Sequence, residues 1–125
     1  MLKFFEDRRL FSFIITLTIA TIIFYISSLS FKGEFTGIFS IFYHFLAFFW
    51  FSLFLTITII SGRRKNLFAL AIIIALIYAA SDEIHQFFVP YRKASLSDVL
   101  INASGVLFSN LIYLLSFKKK KIKQL

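Results

Sequence analysis

The chain has 125 residues, 59% of them hydrophobic, with 19 Phe, one Pro, no Cys and a formal net charge of +8. At a mean hydropathy of +0.85 too little polar material is left to clothe a water-soluble domain, which argues against a soluble globular protein. The lack of cysteine removes thiol catalysis, disulfides and thiolate metal sites.

A bilayer core about 30 Å thick is crossed by about 20 mostly apolar helical residues. Four runs meet that length: Leu10 to Ser30, Phe39 to Ile60, Leu67 to Phe87 and Leu96 to Phe117. Only a helix closes its backbone hydrogen bonds within one segment, so the abundance of Ile and Phe does not argue for strands. The expectation is an all-α integral membrane four-helix bundle forming one domain over residues 1–125. Lys3, Arg8 and Arg9 precede the first run, which is too long for a signal-peptide core and lacks a small-residue cleavage site before Lys32; it is read as a retained helix. Short polar breaks, FKGEFTG, SGRRKN and VPYRKAS, separate the runs and carry the Gly, Pro and Ser of helix ends.

Lys3, Arg8, Arg9, Arg63, Arg64, Lys65 and the lysines at 118–121 and 123 fall on one side of this four-helix path, with Lys32, Arg92 and Lys93 on the other. The positive-inside rule makes the first group, and both termini, cytoplasmic. The positive charge is therefore topology and lipid anchoring, not nucleic-acid binding. The expected location is a membrane that the chain crosses several times.

Three of the six acids lie between Ser81 and Gly105, in SDEIHQFFVPYRKASLSDVLINASG. An unpaired charge at the centre of a spanning helix costs roughly 2.5–3.5 kcal/mol on insertion scales, so intramembrane ionisable groups mark function by default. On the third run Tyr78, Asp82, His85 and Gln86 share one sector near the outer end, with Glu83 about 60° beyond Gln86. On the fourth, Asp98, Asn102, Gly105 and Ser109 recur on one face, a polar stripe that becomes a small-residue packing stripe. The connection is short, so these helices are antiparallel neighbours whose polar sectors can face each other. His44, roughly 8 Å into the second run, lies level with Asn102, and Ser27 and Ser28 end the first run in the same layer. The helices are expected to hold no other hydrogen-bonding groups.

Plainer roles exist for each group. Glu83 and Gln86 can form a local i,i+3 bond, Asp98 can sit in a first turn capped by Ser95 or Ser97, and Arg92 can meet a headgroup, Asp82 or Glu83. Asp82 and His85 at i,i+3, with Glu83, Asp98 and His44 nearby, can supply a metal site, but the spacing matches no tight motif and no metal ligands are assigned.

Ser81-Asp82-Glu83-Ile84-His85-Gln86-Phe87-Phe88, Pro90-Tyr91-Arg92, Asp98-Val99-Leu100-Ile101-Asn102 and Gly105 together resemble the signature of the VanZ-like family of small membrane proteins. His44-Phe45 and Ser27-Ser28 resemble its weaker motifs. Ser40 and Ile41 stand where the family usually has an Asp-Lys pair, and Tyr91 where Gly is common. The resemblance implies a bacterial cell-envelope protein, with a founding member linked to resistance to the antibiotic teicoplanin.

The functional expectation is an outward-facing polar site that binds or modifies the headgroup of an envelope lipid or a prenyl-phosphate-linked cell-wall precursor. Glu83, Asp98, His85 and His44 are the candidate catalytic residues, as general base and proton shuttle of a membrane-embedded hydrolase or transferase. Asp82, Gln86, Arg92 and Asn102 are the candidate substrate contacts. No cofactor is assigned; membrane lipids are the expected partners, with a homo-oligomer as a further possibility and no nucleic acid. The alternative is a structural or assembly protein whose polar cluster only packs helices.

Overall fold

The computed structural model describes residues 2–30, 37–61 and 65–122, with side chains as far as Ser116. Lys32, Arg63, Arg64 and Lys123, and the side chains of Lys118 to Lys121, on which the orientation largely rests, lie outside the described residues. Five α-helices follow in order: α1 Leu2–Asp7, α2 Arg9–Ser28, α3 Ile38–Ile60, α4 Phe68–Phe87, entered through a 3₁₀ turn at Lys65–Leu67, and α5 Leu96–Ile122. The last four contain stretches long and apolar enough to cross a membrane, within a few residues of the expected runs. The short α1 has no counterpart in the sequence reading, because six residues are too few to show helical periodicity. It folds back on the bundle: Ser12 Oγ donates to the Phe5 carbonyl at 2.7 Å, and Tyr113 Oη of α5 donates to Glu6 Oε1 at 3.1 Å.

Successive spanning helices alternate in direction, so α2 runs parallel to α4 and α3 parallel to α5. Ala20 and Ser27 of α2 meet Tyr78 and Asp82 of α4 in that order. His44 and Thr56 of α3 meet Asn102 and Asn110 of α5. The most extensive packing joins α3 to α5, and among the described residues the backbones of α2 and α5 do not come close. The cross-section is therefore a rhombus in which α3 and α4 form the short diagonal. On α4 the approach is made by Ala71, Ala75 and Ala79, all buried; a four-residue spacing of small side chains lets helices close up without hydrophobic driving force.

Among the described residues, buried polar side chains outnumber buried apolar ones, while Phe24, Ile77 and Leu107 are more than half exposed. This inverts a soluble protein's pattern and suits a bundle whose solvent is hydrocarbon, where apolar surface need not be hidden. The expectation that the spanning helices hold no further hydrogen-bonding groups is corrected here. Asn110 donates to Ser52 Oγ and accepts from Thr56 Oγ1, each at 2.8 Å, and Thr16 meets Thr58 at 3.3 Å. Single Ser, Thr and Asn residues hide within a hydropathy average, and helix contact in lipid favours them as interhelical donors and acceptors.

Candidate functional site

The site forms where the C-terminal ends of α2 and α4 meet the N-terminal parts of α3 and α5. Consecutive residues on a helix point 100° apart, and this separates the two adjacent acids. Asp82 turns to α2: Oδ1 accepts from Ser27 Oγ at 2.6 Å, and Oδ2 accepts from Gln86 Nε2 at 2.9 Å. Glu83 turns to α5: Oε1 accepts a long hydrogen bond from Asn102 Nδ2 and Oε2 one from the Ser95 N–H, both 3.4 Å. Gln86 thus pairs with Asp82, one turn back, and not with Glu83 as a local i,i+3 bond would have it.

His44 of α3 closes the cluster. Its Nδ1 lies 3.0 Å from Asn102 Oδ1 and 3.7 Å from Glu83 Oε1. With Glu83 ionised, and so only an acceptor, the Asn102 amide would present Nδ2 to Glu83 and Oδ1 to the imidazole, and Nδ1 would then donate. His44, Asp82, Glu83, Gln86 and Asn102 are each at most 5% exposed. The Tyr43 hydroxyl, one residue before His44, is buried with no hydrogen-bond partner among the described residues and lies within electrostatic reach of Asp82 and Arg92. Sequence reasoning passed over it, since a Tyr beside aromatic neighbours carries no signal.

The other expected residues lie around this centre. His85 faces α2, with Nε2 2.9 Å from Ser28 Oγ and its ring stacked on Phe24 at 4.7 Å. Asp98 is half-buried in the first turn of α5, where its N–H donates to Ser95 Oγ at 3.2 Å; this is the capped first-turn placement, which suits an acid through the helix dipole. Arg92 donates from Nη2 to the Ile26 carbonyl at 3.4 Å, and its charge acts on Asp82. Residues 89–92 have the arrangement of a type II turn: Pro90 comes second, Tyr91 third at φ +65°, and the Arg92 N–H donates to the Val89 carbonyl at 3.2 Å. A left-handed third position favours Gly, which gives the Tyr91 departure a physical meaning.

A groove of about 510 Å³ opens between α4 and α5, walled by Ile84, Phe87, Phe88, Leu96 and Val99 and reaching Glu83. Its volume is within the range of small-ligand sites. The arrangement can orient a polar group at Glu83 while an attached apolar chain lies along the groove.

The family model VanZ/LLP1 matches residues 3–117, nearly the whole chain. No curated protein and no solved structure matches it.

Proposed function

The chain belongs to the VanZ/LLP1 family, and from that premise we propose that this multi-pass membrane protein binds, or modifies, the polar head of an envelope lipid or prenyl-phosphate-linked cell-wall precursor. The observation that carries the reading is the apolar groove between α4 and α5 that Glu83 helps to line. A lipid's chain fits the walls and its head meets Glu83, with Asn102 and the Ser95 N–H beside it. Where turnover follows binding, Glu83 is the general base within reach of a head in the groove. The positive-inside rule puts this end of the bundle on the outer side of a bacterial cytoplasmic membrane, where such precursors are consumed, and an effect on teicoplanin susceptibility belongs to the same reading.

The competing reading, that the cluster only packs helices, draws support from how fully Asp82, Ser27 and Gln86 satisfy one another. Mass spectrometry of lipids retained or altered by the purified protein separates the two. Wild type is compared with Glu83→Gln, with Val99→Trp, which fills the groove, and with Asn110→Ala, which disturbs the other polar layer. A lipid or headgroup product lost in the first two and kept in Asn110→Ala supports the site. Identical lipids in all four proteins overturn it.

A further inference from the structure

His44, Asp82 and Glu83 each bring one potential ligand atom to a common point, and these three atoms lie within 4.8 Å of one another. They come from two helices; the sequence had offered these three among five, with Asp82 paired to His85 and with Asp98 nearby. His85 faces Ser28 instead.

Each of the three is held as a metal ligand is held. Imidazoles that ligate metals almost always give their other N–H to an acceptor, which fixes ring and tautomer. Here His44 Nδ1 lies 3.0 Å from Asn102 Oδ1 and 3.7 Å from Glu83 Oε1, and Nε2 makes no hydrogen bond among the described residues. The Asp82 carboxylate is oriented by Ser27 and Gln86, and that of Glu83 by Asn102 and the Ser95 N–H. These neutral donors aim lone pairs without cancelling charge. Two carboxylates buried beside each other in hydrocarbon demand positive charge. Arg92 acts on Asp82 from the connecting turn and His44 stands 3.7 Å from Glu83; a divalent ion at the convergence would meet both carboxylates at once.

We propose that His44, Asp82 and Glu83 form a binding site for a divalent cation of the zinc or manganese class. One imidazole with two carboxylates is a donor set for such borderline ions, and the apolar surroundings strengthen their hold. Ligand bonds of about 2.0–2.2 Å require the three atoms to draw in by about an ångström, a side-chain adjustment. Ser27, Gln86, Asn102 and Ser95 are then positioning residues for the ligands. The cation site occupies the proposed lipid site but does not depend on the lipid reading.

The test measures metal directly. Protein freed of any metal-binding tag is stripped with chelator, loaded in detergent without added lipid with Zn²⁺ or Mn²⁺ alone, desalted and analysed by elemental mass spectrometry. Wild type and His85→Gln are expected to retain close to one ion per chain, and His44→Gln and Glu83→Gln to bind at least tenfold more weakly. Equal retention by all four proteins, or none by wild type, overturns the site. Should a variant fail to run as a monodisperse species, Co²⁺ loading of wild type decides alone: visible bands of a nitrogen- and oxygen-ligated ion support the site, and their absence overturns it. Metal retention without lipid retention leaves the cation site standing and removes the lipid reading; the reverse result does the opposite.

Discussion

Gly105 lies so close to Phe45 that a Cβ built on it would stand 2.5 Å from the Phe45 carbonyl oxygen and 3.1 Å from the Phe49 nitrogen. The obstacle is helix backbone, which does not swing away as a side chain tip does. This contact sets the depth at which α3 seats on α5. It also sets the site, because His44 precedes Phe45 and Asn102 stands one turn before Gly105.

Gly105→Ala is therefore expected to push α3 off α5. The overpacking cost is about 1–3 kcal/mol, read as a lowered unfolding midpoint in detergent, and the His44 to Asn102 contact should part with it. Metal or lipid retention should fall together with stability. An unchanged midpoint would mean that the helices do not pack this closely.

Ser27 and Ser28 are adjacent but unequal. The Ser27 hydroxyl is buried and reaches Asp82 across 2.6 Å, whereas Ser28 is exposed and also bonds the Phe24 carbonyl of its own helix at 2.7 Å. Ser27→Ala leaves a buried carboxylate oxygen short of a donor and should cost about 1–3 kcal/mol. Ser28→Ala should stay within about 0.5 kcal/mol of wild type. Equal effects, measured side by side by thermal unfolding, would deny Asp82 its place facing α2.

Tyr91 occupies a left-handed position at φ +65° with its side chain 72% exposed. For an L-residue that backbone costs roughly 1–2 kcal/mol, partly offset by the lower entropy of an unfolded Tyr relative to Gly. Tyr91→Gly is expected to hold or raise the unfolding midpoint, and Tyr91→Val, β-branched, to lower it. A Gly variant clearly less stable than wild type would contradict the turn geometry.

Orientation is tested apart from the fold. A reporter enzyme fused after Lys123 should report the cytoplasm, and one inserted between Arg92 and Lys93 the opposite side. The reverse pattern would move the polar site to the cytoplasmic face and remove outer-leaflet precursors from consideration.

Residues 81–105 were legible as the polar segment because charges stand out in an apolar chain, and the structure gathers Asp82, Glu83, Gln86 and Asn102 into one cluster. The Asn110 layer and the Glu6 to Tyr113 contact were not legible. The first consists of neutral residues that hydropathy averages conceal, and the second joins residues 107 positions apart. Asp98 shows a boundary between the two cases: its first-turn place was readable from Ser95 before it, but its standing outside the His44, Asp82 and Glu83 convergence was not.

By itself the sequence determined the four spans and the segment that carries polar chemistry, because a helix in lipid must satisfy its backbone locally and needs only length and apolarity to do so. Only the tertiary structure decided that Asp82 faces Ser27 while Glu83 faces Asn102, and that His44 joins both. Those outcomes depend on the rotation of each helix about its axis. That rotation is set by close contacts such as Gly105 on Phe45 and the alanine stripe of α4, between residues far apart in the chain.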